Sequence, residues 1–147
     1  LNSEVMANAA ESHHLLFFSN MFAIRVLPIS QSPDDSLRLG EIVIGNFTER
    51  FACHSIGSTT EVADLERVWR RELRKFVDGA IAVALVYDPR FAWIIYGAGR
   101  HCFIQQKFAS DGKFSEIESR RTHTVDGDAI SEWRVDLLAI QIFLDTE

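Results

Sequence analysis

The sequence predicts an α+β fold: a mostly antiparallel sheet with one long amphipathic helix packed on a face and a short helix closing the chain. Three observations predict it. From Glu61 to Val77 the apolar residues Val62, Leu65, Val68, Trp69, Leu73, Phe76 and Val77 recur at helical spacing, and most other positions are charged. Two runs that are apolar on both faces, Ala80–Tyr87 and Phe91–Tyr96, follow and are joined by Asp88-Pro89-Arg90, which marks two central strands about a tight turn. Elsewhere short strand-like runs are separated by hairpin dipeptides, notably Asp111-Gly112 and Asp126-Gly127. Strands joined in this way pair antiparallel, and a helix with one apolar stripe needs a sheet face to bury it against.

The elements follow in order. Residues 1–20 read as an N-terminal extension, with a short helix expected over Glu4–Ala10, and 21–147 as a single domain for which Met21 is a candidate start. Phe22–Ile29 reads as a strand. Ser30–Ser36 reads as a polar loop containing Pro33-Asp34-Asp35. Leu39–Ile44 and Phe47–Cys53 flank the turn signal Gly45-Asn46. Ser58-Thr59-Thr60 offers N-caps for the long helix, and Glu61 and Asp64 suit its first turn. Arg74 and Lys75 suit its last turn, and Gly79 stands where a C-cap glycine belongs. Glu66 and Arg70 have the spacing of a helical ion pair. His101–Phe108 is a further strand. Phe114–Glu118 and Arg120–Val125 are expected as strands pairing near the Asp111-Gly112 turn, and Ile130–Val135 as a strand with one wet face. Asp136 is placed to cap a closing helix, Leu137–Leu144.

Hydrophobic residues make up 47% of the 147, enough to build a sizeable core and to exclude global disorder. The formal net charge is −6, with no clustered Lys/Arg stripe, which argues against direct nucleic-acid binding. No run is long enough to span a bilayer, and Leu15–Phe18 is too short and lacks the basic flank of a signal peptide. Two cysteines cannot make a disulfide framework and fit a reducing compartment, with a single bridge still open. Asn46-Phe47-Thr48 matches a glycosylation sequon, which has meaning only in a secreted eukaryotic protein.

Few residues point to chemistry. Cys53-His54 and His101-Cys102 each lie on a predicted strand, where neighbours face opposite ways, so one metal could take only one member of each pair. Two ligands do not make a structural zinc site. A Cys–His dyad across strands would need a thiolate and an oxyanion hole, and no glycine-rich elbow supplies one; buried apolar thiols are the simpler reading. Gly97-Ala98-Gly99 precedes a strand instead of the helix a phosphate loop requires, and Asp126-Gly127-Asp128 lacks the remaining ligands of a calcium loop. The helix cations Arg67, Arg70, Arg71, Arg74 and Lys75 are balanced by five acids. His123 stands between threonines beside two arginines and reads as a surface residue. No catalytic residue, metal site or cofactor is predicted.

Four segments, taken in order, resemble bacterial polymorphic-toxin immunity proteins, including those of contact-dependent growth inhibition systems. They are Met21-Phe22-Ala23-Ile24, Leu39–Phe51 with its Gly45 turn, Glu61–Phe76 with central Trp69, and Ser131-Glu132-Trp133-Arg134-Val135 leading into Asp136–Leu144. The resemblance implies a cytoplasmic protein without enzymatic activity that binds a cognate toxin domain and blocks its active site. Such toxins are often basic nucleases, which an acidic inhibitor complements. The family has no shared motif for toxin contacts. Acidic loops and strand faces are therefore the expected contact residues: Asp34, Asp35, Glu41, Glu49, Asp111, Glu116, Glu118, Asp126, Asp128 and Glu132, with Phe114 and Arg120 as anchors among them. The rival readings are a small Cys/His-dependent enzyme and a ligand-binding or scaffold domain with a concave apolar sheet face.

Overall fold

In the computed structural model, which describes residues 21–29, 38–56 and 61–146, the strands divide between two antiparallel sheets. The first contains β1 (Phe22–Val26), β2 (Arg38–Ile44) and β3 (Phe47–Cys53) in that order. The second contains β4 (Ala82–Asp88), β5 (Phe91–Ala98), β6 (His101–Phe108) and β7 (Trp133–Asp136), again in chain order. A one-turn 3₁₀ helix, Val62–Asp64, leads into α1 (Leu65–Val77), and α2 (Leu137–Asp145) ends the described chain. The extension 1–20, the loop with Asp34 and Asp35, and the caps Ser58-Thr59-Thr60 lie outside the described residues.

Hairpins form at Gly45-Asn46 and at Asp88-Pro89-Arg90, whereas Asp111-Gly112 turns the chain without joining two strands. Ile44 faces Phe47 across Gly45 and Asn46, and Gly45 takes φ 61°, a conformation that costs glycine least. At the end of α1, Gly79 has φ 120° and the Ala80 N–H donates to the Lys75 carbonyl (3.0 Å), closing the last turn.

Alternation sets the faces of the second sheet. Val83, Leu85, Trp93, Ile95, Cys102, Ile104 and Val135 point to one side, where they join Ile24, Ile42, Phe51, Leu65, Trp69, Leu73 and Ile140 in a core drawn from both sheets and both helices. The aromatic load sits at this junction. Phe47 stacks on Trp133 at 4.2 Å, and Phe51 lies 4.5 Å from Tyr87 and 5.9 Å from Trp93.

Helix α1 ties the two sheets together by their edges. The Val26 N–H of edge strand β1 donates to the Glu66 carboxylate (2.7 Å). The indole N–H of fully buried Trp69 donates to the Val86 carbonyl of edge strand β4 (2.7 Å). Glu66 therefore does not pair with Arg70 as its spacing suggested. Arg70 instead lies over the Phe143 ring at 4.4 Å and donates to the Phe143 carbonyl (3.4 Å), joining α1 to α2. A half-buried edge amide needs a partner more than two charges on a helix surface need each other.

Three strand expectations are corrected. Phe114–Glu118 and Arg120–Val125 are not strands, and Ile130–Val135 is replaced by the shorter β7, which pairs with β6. Of the Asp126-Gly127 hairpin only its turn and one bridge, His123 with Ala129, remain. The physical reason lies in the neighbouring strands: Phe114 and Ile117 pack on the outer face of the second sheet, so this stretch lies on the sheet and does not extend it. Asp136 does precede α2, but its carboxylate meets His101 Nδ1 (3.1 Å) and makes no side-chain cap.

Gly40 opposes Phe51 on β3, and a Cβ there would run into the Phe51 ring and approach the Cys53 sulfur at 2.9 Å. Gly40→Ala should destabilise the fold by about 1–3 kcal/mol through overpacking, measured as a shift in denaturation midpoint.

Candidate functional site

The site is built on the outer face of the second sheet. Ala92, Ile94 and Tyr96 are buried there, flanked by Ala82, Ala84, Val86 and Phe103. Small side chains on β4 and β5 leave a shallow apolar floor, and Phe114 and Ile117 of the segment between β6 and β7 pack into it. Apolar burial at these two positions explains why a polar, irregular stretch lies where it does.

Polar contacts pin the same segment at several points. At its start, Ala109 N–H donates to the Arg90 carbonyl (2.8 Å), and the Asp111 carboxylate accepts from Lys113 N–H (3.0 Å) about the Gly112 turn. At its end, Arg120 reaches Glu132 with Nε at 2.7 Å and with Nη2 at 2.5 Å, a two-pronged carboxylate contact. The same guanidinium stacks on the Phe103 ring at 3.7 Å. Gln105, fully buried on β6, donates from one nitrogen to Glu132 Oε2 (2.7 Å) and to the Arg121 carbonyl (2.8 Å). Arg120, first by its hydrogen bond, holds the Glu132 carboxyl below the usual carboxylate range; burial opposes this and Gln105 adds to it.

The expected contact residues separate into groups. Asp111, Phe114, Glu116 and Glu118 come together along one groove of about 680 Å³, with Lys107 and Lys113 beside them. Asp126 and Asp128 stand on the exposed turn of the segment, next to Val125, which is 90% exposed. Arg120 and Glu132 are spent on each other, with Arg120 also over Phe103 and Glu132 also held by Gln105. Glu41 lies on the first sheet and pairs with Arg50 across the hairpin (3.3 Å). Glu49 lies on β3 near the junction of the sheets, lining a different cavity. Residues 111–132 hold six acids and three bases, a net −3 that is half of the whole chain's charge. Sequence reasoning missed Gln105; a glutamine inside an otherwise apolar strand was its only signal.

The thiols do not offer a nucleophile. Cys53 and Cys102 are free and buried, and burial pushes each thiol up to about 12. His54 pairs with Asp88 (2.8 Å) and His101 with Asp136, so neither imidazole partners a cysteine. Among the described residues no group of three or more His, Cys, Asp or Glu is placed to hold a metal ion, and no helix is long and apolar enough to cross a membrane.

A family model described as the CdiI N-terminal domain matches residues 57–143, more than half of the chain. The chain belongs to the CdiI N-terminal domain family. The match spans α1, the second sheet and the segment that lies on it. The "Immunity protein CdiI" of Enterobacter cloacae subsp. cloacae is 28% identical over an alignment covering 69% of this chain and 81% of the relative. Among solved structures, a chain of the CdiA-CT/CdiI toxin and immunity complex from Enterobacter cloacae superposes with a TM-score of 0.63. Its identity is 24%, over 86% of this chain and 97% of that one, so the likeness is one of fold. The resemblance to contact-dependent growth inhibition immunity proteins, drawn from four sequence segments, is borne out by CdiI membership.

Two outcomes follow. Iodoacetamide at pH 8 should leave both cysteines unlabelled in the native protein and label both after unfolding, as read by intact mass. Glu132 binds its proton less readily when folded than when unfolded. Its stabilising contribution is therefore present at neutral pH and lost as pH falls below the ordinary carboxylate value of about 4.3 through the lowered folded-state value. Glu132→Gln should be less stable at neutral pH and lose less on acidification, measured by thermal melts from pH 7 to 3.

Proposed function

We propose that this chain is an immunity protein that binds a cognate toxin domain and neutralises it by covering its active site, with no chemistry of its own. The observation that carries this reading is CdiI membership, joined to a solved relative of the same fold that is one half of a toxin–immunity complex. Neutral, buried thiols favour a binding protein over the Cys/His enzyme. Residence in the cytoplasm, where an incoming toxin would act, and no contact with nucleic acid complete the reading.

The toxin is proposed to be basic, and a nuclease. The contact face is the negative segment on the second sheet, with Asp111, Glu116 and Glu118 along the groove of the half-buried Phe114 and Asp126 and Asp128 on the exposed turn beyond it. Exposed carboxylates of this kind act over a Debye length of about 10 Å at 0.1 M salt, so they speed encounter more than they hold the complex. Phe114 and Ile117 give that charge a rigid floor.

The toxin domain encoded beside this chain is the reagent for the test. It should co-purify with the chain, and its activity should be lost on mixing. Association should slow steeply with salt. The double reversal Glu116→Lys/Glu118→Lys should reduce the association rate by about tenfold at low salt, with the difference shrinking towards 0.5 M salt in stopped-flow mixing. A toxin domain that neither binds nor loses activity removes the reading. A salt-independent rate, unchanged in the double variant, removes the negative segment as the contact face.

A further inference from the structure

The two sheets meet along their free edges, and the meeting leaves a pocket. β3 is an edge of the first sheet and β4 an edge of the second. They touch where the His54 N–H donates to the Tyr87 carbonyl (2.9 Å). Beside that bond opens a cavity of about 360 Å³, walled by Glu49, Phe51, His54, Tyr87, Asp88 and Phe91. Resting on the immunity-protein reading above, we propose that this pocket receives an arginine side chain of the toxin.

Glu49 carries the argument. It opposes Ile42 across the hairpin and so shares the inward face of β3 with Phe51. One carboxylate oxygen, Oε2, is buried and has no hydrogen-bond donor among the described residues. A carboxylate oxygen out of water and without a donor is costly, and native folds rarely leave one so.

The neighbouring polar groups are already engaged. His54 Nδ1 meets Asp88 Oδ2 at 2.8 Å, and Asp88 Oδ1 accepts from Arg90 N–H at 2.9 Å. Gln106 donates to the Tyr87 hydroxyl at 2.5 Å. Arg50 also lines the cavity, but its side chain leaves on the other face of β3, where its Nε donates to Glu41 (3.3 Å). Glu49 is thus half of an ion pair whose other half is missing from the described chain.

The walls select the missing half. Tyr87 and Phe91 lie face to face at 6.1 Å, with Phe51 behind Tyr87, and Phe91 is 38% exposed at the mouth. Aromatic faces attract cations and repel anions. A metal ion would want several oxygen or nitrogen ligands, and no such group is present among the described residues. A flat, weakly hydrated guanidinium can stack on a ring and still donate to a carboxylate, which a strongly hydrated ammonium does less well. The pocket opens at the junction of the sheets and has a lining separate from the groove of Asp111 and Phe114, so it would add a directional anchor to the diffuse attraction of the negative segment.

The test uses the whole chain, labelled with ¹⁵N, and N-acetyl-arginine amide as probe. Saturable shifts are expected at the Gln106 side-chain amide and the His54 backbone amide. The neutral isostere N-acetyl-citrulline amide should bind about tenfold more weakly, and Glu49→Gln should weaken the arginine probe by a similar factor. Phe91→Ala, at the exposed mouth, should weaken it several-fold, which tests the pocket without altering Glu49. Shifts that stay linear with concentration, or that are equal for the two probes, overturn the proposal. In the complex, Glu49→Gln should raise the toxin's dissociation rate about tenfold. A toxin that leaves both proteins at one rate overturns the arginine anchor but not the immunity reading. A toxin that never binds overturns that reading, and the arginine probe still decides the pocket.

Discussion

The fold depends on how α1 is seated between two sheets that share no ladder. A three-stranded and a four-stranded sheet joined only by loops would each leave two edges and an apolar face in water. Trp69 addresses both problems at once. Its ring, on the order of 200 Å² of surface, is fully buried beside Phe51, and its N–H satisfies the open β4 edge at Val86. Three residues earlier, Glu66 does the same for β1 at Val26. One helical turn thereby fixes the distance between the sheets, and the aromatic contacts of Phe47 and Phe51 with Trp93 and Trp133 follow from it.

The proposed contact face follows from the side of the second sheet that this arrangement leaves outward. Because α1 and the first sheet occupy the inner side of the second sheet, its outer side is free to hold the 109–132 segment. That segment carries charge on top and two apolar anchors underneath. The Arg120–Glu132 pair is worth little as an exposed ion pair, but it is braced by Phe103 below and by the buried amide of Gln105. Its effect is to hold an irregular stretch in one shape. A binding surface held in place before its partner arrives loses less entropy on docking than one that must fold onto it.

Much of the fold was legible in the chain. The stripe from Leu65 to Phe76, the hairpin at Gly45-Asn46, the doubly apolar runs about Asp88-Pro89-Arg90 and the C-cap at Gly79 are local patterns whose causes lie within a few residues, and each formed as expected. The 109–132 segment was not legible. Phe114, Ile117 and the alternation of Ile130–Val135 look like strand residues. The burial of Phe114 and Ile117 comes from Ala82, Ala84, Ala92 and Ile94, which are distant in sequence, and a packed floor competes successfully with a marginal ladder. The ion pair expected of Glu66 and Arg70 failed for the same reason, since each found a tertiary partner.

By itself the sequence determined the two helices, the strands up to residue 108, their antiparallel pairing and the modest negative charge, because periodicity, turn residues and composition act locally. Only the tertiary structure decided that there are two sheets, that Arg120 and Glu132 serve the fold, that Asp111, Glu116 and Glu118 share a groove, and that Glu49 is left with an empty partner position. Those outcomes depend on which distant atoms compete for each polar group and each apolar face, and that competition is settled only when the chain closes on itself.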